Sequence, residues 1–401
     1  MRIVGMQVSP VGLPSGGEVQ SNGESLVTPL HIFEDYQTLL GAGFVGLRGG
    51  PVGGIVVRLQ TDDGLEGVGS VGVGNGSAIY ILEHSLKPIV LGANPFDVEL
   101  LWEKMFRSTI YFGRKGTALE AISAVDIALW DLMGKATGQP VYNLLGGRTR
   151  DRIRVYASRL YANQDLERLG AETRAFVARG FTALKQRFGY GPRDGVAGMR
   201  KNLALVRTVR DAAGPDIEIA ADCYMGWDVP YAIRMIHMIE DSGLDLAWVE
   251  EPVIPDDVRG YAEIRRAVNT PIGGGEHEFT RFGFRQLIDE GAVDILQPDV
   301  NRAGGITEAR KIWAMAAAHG LRVIPHSGQA HNYHMVISHM NSPLAEYFPS
   351  PCEGVPLDDD TLFWEIFAGE PLAENGYVTL PGTPGLGLTV REERLRELAV
   401  A

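Results

Sequence analysis

Residues 246–250 read Leu-Ala-Trp-Val-Glu, a short apolar run that ends in a carboxylate. It belongs to a series of eight apolar runs beyond residue 150, each followed by a stretch of helical periodicity, at residues 153–156, 183–185, 217–220, 246–249, 271–273, 295–297, 323–325 and 344–346. Helices that connect parallel strands must cover the outer face of the sheet. The alternation therefore predicts an α/β fold, the (β/α)₈ or TIM barrel.

A doubly wound parallel sheet is the competing topology for this alternation. It would place a glycine-rich, phosphate-binding turn directly after its first strand. Here Gly146-Gly147-Arg148 precedes the first run instead. The barrel is therefore favoured over a dinucleotide-binding fold.

The N-terminal region has a different pattern, of antiparallel β structure followed by helix. Residues 55–59 and 65–69 are strand-like, and Asp62-Asp63-Gly64 between them predicts a hairpin turn. Apolar residues at helical spacing predict a long, mostly buried helix within residues 118–145, with Asp126 and Asp131 at polar or interface positions. Its end is expected at Gly138-Gln139-Pro140, because Gly and Pro terminate helices.

Two loops of this region, residues 13–29 and 41–54, are rich in Gly, Ser and Pro and lack any apolar period. Such loops on a structured domain are either disordered or binding segments. We expect them to close over a substrate and to set its specificity. Arg48 and His31 are the candidates to bind distal hydroxyls of that substrate.

The composition disfavours several classes of function. Of 401 residues, 45% are hydrophobic and 22% charged, and no apolar run is long enough to cross a bilayer. Acidic residues exceed basic ones by 50 − 37 = 13, which argues against nucleic acid and membrane as partners. Two cysteines are too few for a disulfide framework, and no signal-peptide core follows Met1. A cytoplasmic location is expected.

From the second run onward, an ionisable residue stands at the end of each run. These residues are Lys185, Asp222, Glu250, Glu276, Asp299, His326 and Glu346. The C-terminal ends of barrel strands form one mouth, which is where such barrels carry their active sites. The spacing therefore predicts that all seven side chains surround a single cavity.

Three of these residues, Asp222, Glu250 and Glu276, come from consecutive strands and predict a metal site. Three facing carboxylates repel one another unless a divalent cation lies between them. An all-oxygen ligand set suits Mg²⁺, whereas His or Cys ligands would be expected for Zn²⁺. We therefore predict Mg²⁺ as the cofactor.

Asp299 and His326 follow successive strands, where a carboxylate can hold one imidazole nitrogen and raise its basicity. We interpret them as a general-base dyad. Lys185 and Arg187 alternate along one strand, so both face the barrel interior. Lys185 would neutralise a carboxylate oxygen of the substrate and Arg187 would bind the substrate, or both would form salt bridges with the acids of the metal site.

Several segments make the chain resemble the mandelate racemase branch of the enolase superfamily. They are residues 124–131 (AVDIALWD), 141–147, 248–252 (WVEEP), 275–277 (GEH), 297–299 with 304–305, and 324–327 (IPHS). The similarity covers nearly the whole chain, and within the branch it is greatest to the acid-sugar dehydratases. Thr28-Pro29, together with residues 332–334 and 341–343, favours the L-rhamnonate dehydratases.

The resemblance implies a modified barrel, (β/α)₇β, in which the C-terminal excursion replaces the eighth helix. It also implies an α+β capping domain formed by the N-terminal region and the C-terminal tail. The domains would then be a cap with lid loops, a catalytic barrel and a segment that completes the cap, at residues 1–145, 146–350 and 351–401. A homo-oligomer is expected.

The resemblance also assigns roles to the residues at the mouth. Asp222, Glu250 and Glu276 match the family's Mg²⁺ ligands, and His326 with Asp299 matches its catalytic dyad. Glu346 matches the acid on the last strand that contacts the carboxylate side of the substrate.

The predicted activity is that of a hydro-lyase acting on an aldonic acid such as L-rhamnonate. His326 would remove the C2 proton and, once protonated, return it to the leaving 3-hydroxyl, which gives a 2-keto-3-deoxy acid. His277 is a substrate-binding candidate and a reserve acid, and His331 and His334 are further reserve acids.

Two alternatives stay open. One is a racemase or epimerase of a hydroxy acid, although Arg187 stands where racemases carry a second Lys. The other is a non-catalytic, metal-dependent binder of sugar acids, against which the intact dyad argues.

Overall fold

The computed structural model of the chain describes residues 1–12, 24–35, 52–72, 76–349 and 365–400. Its first strands are β1 (Ile3–Val11), β2 (Glu24–Ser25), β3 (Gly54–Thr61) and β4 (Glu66–Val71). An antiparallel sheet forms in the order β1-β3-β4. The predicted hairpin is confirmed as β3 and β4, and Gly64 adopts a left-handed φ of +84° in the turn between them.

Helices cover this sheet. They are α1 (Ser77–Tyr80), a π-helical turn (Ile81–Leu86), α2 (Lys87–Val90), α3 (Val98–Gly113), α4 (Thr117–Thr137) and α5 (Val141–Leu144). The predicted long helix is α4, which ends where Gly138 adopts a left-handed φ of +64°. It packs directly on β4. A Cβ added at Gly69 in β4 would lie only 2.1 Å from the carbonyl oxygen of Ala124 in α4. Glycine is required there by close packing.

Eight parallel strands form the barrel, one for each predicted run. They are β5 (Ile153–Ser158), β7 (Ala183–Arg187), β8 (Glu218–Asp222), β9 (Trp248–Glu250), β10 (Ile272–Gly274), β11 (Ile295–Leu296), β12 (Arg322–Val323) and β13 (Ala345–Tyr347). A short strand outside the barrel, β6 (Ala162–Asn163), pairs with β2. The barrel strands β5 to β12 pair in chain order, and β13 pairs with β5. The first and last strands are therefore neighbours.

Within the described residues, helices follow the first seven of these strands. They are α6 (Leu166–Ala178), α7 (Gly195–Ala213), α8 (Val229–Asp241), α9 (Val258–Ala267), α10 (Thr280–Asp289), α11 (Val300–Ala303), α12 (Gly305–Ala318) and α13 (Ala330–Ser338). After β13 the described residues continue to 349 and resume at 365 in the C-terminal segment. The predicted (β/α)₇β barrel is confirmed. The described part of the chain contains no helix with the length and apolar character needed to traverse a bilayer.

The C-terminal segment returns to the N-terminal sheet. Its described elements are β14 (Phe367–Ala368), β15 (Ala373–Glu374), β16 (Tyr377–Val378), β17 (Thr389–Val390) and α14 (Glu392–Glu397). The N–H of Leu386 donates to the buried carboxylate of Asp131 in α4 (2.8 Å). Further on, the carbonyl oxygen of Leu398 accepts the N–H of Gly12 (2.7 Å). Both ends of the chain therefore contribute to the cap, as the resemblance implied.

Candidate active site

The barrel interior carries a charged layer next to an apolar one. The apolar layer consists of Tyr156, Ala183, Ala220, Trp248, Ile295, Ile324 and Leu344. Two residues further along β7, β8 and β9 come Lys185, Asp222 and Glu250, each 1% exposed. Side chains alternate along a strand, so these three face the same interior as the apolar layer. The strands therefore bring one cation and two acids together at the mouth.

Lys185 is paired with the acids around it. Its Nζ lies 2.5 Å from Oε1 of Glu250 and 2.8 Å from Oε1 of Glu346. Oδ2 of Asp222 is 3.7 Å from the same Nζ and 2.8 Å from Nη1 of Arg187. Burial lowers the pKa of Lys185, but the neighbouring carboxylates outweigh it and raise the pKa well above its ordinary value. Lys185 is therefore a fixed positive charge at neutral pH.

Glu250 and Asp222 are also held by neutral donors. Nε1 of Trp248 and Nε2 of Gln297 donate to Oε2 of Glu250, at 3.0 and 2.6 Å. Oδ1 of Asp222 accepts the backbone N–H of Tyr224 at 2.8 Å. Burial nevertheless raises the pKa of both carboxyl groups against the lowering effect of Lys185. Further positive charge nearby would therefore stabilise the ionised form of both carboxyl groups.

Glu276, Asp299 and His326 form the other side of the charged layer. Nδ1 of His326 lies 2.8 Å from Oδ2 of Asp299, and its Nε2 lies 3.1 Å from Oε1 of Glu276. Burial lowers the pKa of His326, but the neighbouring carboxylates, Glu276 foremost, raise it to about 9. Oδ1 of Asp299 accepts the N–H of Asn301 at 2.7 Å, which leaves Oδ2 for the imidazole. An imidazole held in this way can act as a general acid or base.

Two family profiles match the chain. Residues 53–146 match the one described as Mandelate racemase / muconate lactonizing enzyme, N-terminal domain, and residues 168–394 match Enolase C-terminal domain-like. The chain belongs to the mandelate racemase / muconate lactonizing enzyme family. The resemblance drawn from the sequence is confirmed.

The proteins similar to this chain include dehydratases and a racemase. L-rhamnonate dehydratase of Saccharopolyspora erythraea is 41% identical over 377 residues, which are 92% of this chain and 90% of that protein. Rhamnonate dehydratase of Gibberella zeae in a crystal structure complexed with Mg has a TM-score of 0.87 at 34% identity, with 99% of this chain and 96% of that chain covered. A racemase from Streptomyces coelicolor A3(2) with bound magnesium has a TM-score of 0.82 at 28% identity, with 99% and 100% covered.

Two sets of residues are candidates to hold a metal ion, one by the spacing of its ligand atoms and one by its ligand chemistry. Within the described ranges, the ligand atoms of Glu251, Glu276 and His277 lie within 4.8 Å of one another. Both oxygens of Glu251 are engaged by His277, however, through its backbone N–H (3.3 Å) and Nδ1 (2.7 Å). The predicted ligands Asp222, Glu250 and Glu276 do not meet this spacing, but they offer oxygen atoms alone, and added positive charge would favour two of them. This all-oxygen set fits a hard divalent cation better than the mixed set does.

Part of the predicted lid packs on the loops at the barrel mouth. His31 lies in the 3₁₀ turn Pro29–Ile32, and its buried side chain places Nε2 2.9 Å from Oδ2 of Asp194, after β7. The turn begins at Thr28, whose Oγ1 accepts the N–H of Leu30. Arg48 and most of both predicted loops lie outside the described residues.

The three reserve acids differ in their surroundings. Nε2 of His277 lies 3.8 Å from Oε1 of Glu276, so His277 borders the charged layer. Burial lowers the pKa of His277, but the Glu251 and Glu276 carboxylates raise it above its ordinary value. Burial lowers the pKa of both His331 and His334 to about 4. The lowered pKa values favour a neutral imidazole at neutral pH and so argue against both residues as acids.

Two further residues contact the charged layer but were not predicted from the ends of the strands. Arg302 lies on α11, three residues after Asp299, and its Nη1 is 3.0 Å from Oε1 of Glu276. Gln297, two residues before Asp299, donates to Glu250. Residues three apart on a helix share a face, so the position of Arg302 after a strand-end acid is the signal that could have indicated it.

Proposed function

We propose that this chain is a Mg²⁺-dependent hydro-lyase that dehydrates an aldonic acid, with L-rhamnonate as the first substrate to test. It would remove the C2 proton and the 3-hydroxyl and so give a 2-keto-3-deoxy acid. The relatives named above, two of them dehydratases of this substrate class, support the proposal. The observation that carries it is His326, held on Asp299 through Nδ1 while Nε2 lies among the acids of the mouth.

The demanding step is removal of a proton next to a carboxylate, because negative charge then develops on the carboxylate oxygens. Lys185 is a permanent cation at the mouth and would stabilise that charge. Asp222, Glu250 and Glu276 would hold the Mg²⁺. When bound, the ion supplies positive charge for the substrate oxygens and offsets the carboxylate charge that raises the pKa of the base.

His326 would act twice in the reaction. Asp299 holds Nδ1, so the neutral imidazole carries its lone pair on Nε2 and can take the C2 proton there. The resulting imidazolium returns a proton to the 3-hydroxyl as the C3–O bond breaks and water leaves. The electron pair of the former C2–H bond becomes the C2–C3 double bond, and the enol tautomerises to the 2-keto acid.

Racemisation shares the first proton transfer and differs in needing a second base. Arg187 pairs with Asp222 at 2.8 Å, and a guanidinium keeps its proton at neutral pH, so Arg187 is a poor proton acceptor. This supports dehydration over two-base racemisation. A non-catalytic binder would need no dyad at all.

A panel of aldonates, including L-rhamnonate, incubated with the protein and Mg²⁺ in D₂O separates these functions. We expect a 2-keto acid to form from at least one member of the panel. Deuterium at C2 without loss of water would indicate a racemase or epimerase instead. Binding without exchange or dehydration would indicate a sugar-acid binder, and either result would contradict the proposal.

A further inference from the structure

Arg302 contacts the same two carboxylate oxygens as the proposed base. Its Nη1 lies 3.0 Å from Oε1 of Glu276, and its Nε lies 3.7 Å from Oδ2 of Asp299. His326 contacts these two oxygens through Nε2 at 3.1 Å and Nδ1 at 2.8 Å. The guanidinium and the imidazole therefore close a ring of alternating charges with the two acids.

The local fold fixes Arg302 in this ring. Asp299 caps α11 by accepting the N–H of Asn301, and Arg302 follows on the same short helix. Nη1 of Arg302 also approaches the backbone carbonyl oxygen of Glu276 at 3.4 Å. The side chain is 18% exposed, so most of its surface is withdrawn from solvent. Arg302 thus links the loop after β10 to the loop after β11.

Arg302 gives this ring a cation that reaches both acids at once. Oε1 of Glu276 and Oδ2 of Asp299 belong to buried carboxylates, which repel each other unless positive charge lies between them. The guanidinium presents several donors in one plane, so a single side chain contacts both oxygens. These two contacts do not involve the imidazole, so they stay in place when His326 turns to the substrate.

We propose that Arg302 is a positioning residue that ties Glu276, a proposed metal ligand, to Asp299, the partner of the base. The effect on turnover rests on the proposed function, whereas the effect on Mg²⁺ binding does not. A lysine can replace it only in part, because an ammonium is one point charge and a guanidinium presents several donors in a fixed plane.

The test compares Arg302→Ala and Arg302→Lys with Arg265→Ala as a matched control. Nε of Arg265 makes a salt bridge of 2.7 Å to Asp294, which precedes β11 and so lies at the opposite end of the barrel. Titration of the metal-free proteins with Mg²⁺ in a calorimeter gives the first readout. We expect the affinity to weaken by about 10- to 100-fold in R302A, the usual cost of losing an outer partner of a metal ligand. It should weaken less in R302K and stay unchanged in R265A.

Turnover of the aldonate at saturating Mg²⁺ gives the second readout. The kcat of R302A should fall by about 10- to 100-fold while KM changes little, since the substrate is not contacted. Guanidinium chloride at a non-denaturing concentration should restore part of this kcat and leave R265A unaffected. Circular dichroism checks the fold, and R302K carries the test if R302A does not fold.

Unchanged Mg²⁺ affinity together with unchanged kcat in R302A would overturn the proposal. A rise in KM as large as the loss of kcat would also overturn it, because Arg302 would then bind the substrate itself. A loss that neither lysine nor guanidinium repairs would mean general damage to the fold rather than lost positioning. If the wild-type protein dehydrates no aldonate, the proposed function fails, while the Mg²⁺ titration still decides the role of Arg302.

Discussion

Oε1 of Glu276 lies 3.1 Å from Nε2 of His326, so the proposed base directly contacts a proposed metal ligand. Burial raises the pKa of Glu276, but His326 and the other nearby cations lower it far below its ordinary value. In return, the carboxylates around His326 raise its pKa to about 9. In this arrangement the imidazole is protonated at neutral pH and neutralises the acid.

Removal of divalent metal should therefore abolish activity, because the imidazole then remains protonated on Glu276 and cannot accept the C2 proton. We expect 2-keto acid formation to fall to background after exhaustive chelation and to return when Mg²⁺ is added. Mg²⁺ should also raise the Tm, as any ligand of the native state does. Chelator with excess Mg²⁺ is the control. Full activity in the chelated protein would contradict the Mg²⁺ prediction.

The contact between His31 and Asp194, 2.9 Å from Nε2 to Oδ2, allows a test of the lid prediction. If this contact docks the turn on the barrel mouth, His31→Ala and Asp194→Ala should each lower kcat/KM. The double variant should then be no worse than the single ones, because both remove the same interaction. The four proteins are compared on one aldonate. Losses that add would mean that His31 binds a substrate hydroxyl independently of Asp194.

Asp126 gives a pH-dependent prediction. Burial raises the pKa of Asp126 from 3.8 to about 7, although hydrogen bonds from Thr307 act in the other direction. Between these two values the folded state keeps a proton that the unfolded state loses, so stability falls as the pH rises. Asp126→Asn removes this effect and keeps an oxygen for the N–H of Thr307 (2.9 Å).

The difference in Tm between the D126N variant and the wild type should therefore increase in favour of the variant as the pH rises from about 4 to 7. Above about pH 7 the difference should stay constant. Scanning calorimetry of both proteins across this range measures it. A difference in Tm that does not vary with pH would show that Asp126 titrates alike in the folded and unfolded states.

The strands and the charged mouth could be predicted because barrel strands are buried on both faces and so read as apolar runs. The run at residues 217–220, for example, overlaps β8 (Glu218–Asp222) at residues 218–220. Strand ends converge in a barrel, so ionisable residues placed one per run converge as well. Lys185 and Glu346 are 346 − 185 = 161 residues apart in the chain, and Nζ of Lys185 lies 2.8 Å from Oε1 of Glu346.

Pairings between irregular segments could not be predicted in this way. His31 and Asp194 are separated by 163 residues, and the sequence around them has no periodicity from which the contact could be predicted. Arg302 could not be predicted from the strand ends because it lies on a short helix. The domain boundaries, the homo-oligomer, the cytoplasmic location and the role of Arg48 stay predictions.

The substitution His326→Asn tests whether one residue carries both proton transfers. Asparagine keeps much of the side-chain size and some hydrogen bonding to Asp299, but it cannot accept a proton at neutral pH. We expect dehydration and C2 deuterium exchange to fall together by more than about 10²-fold, the lower end of what general acid–base catalysis contributes. Mg²⁺ affinity is the control, and a large loss would mean that His326 is a metal ligand. Exchange that survives without dehydration would require another base, and Lys185 is poorly suited because its pKa is raised.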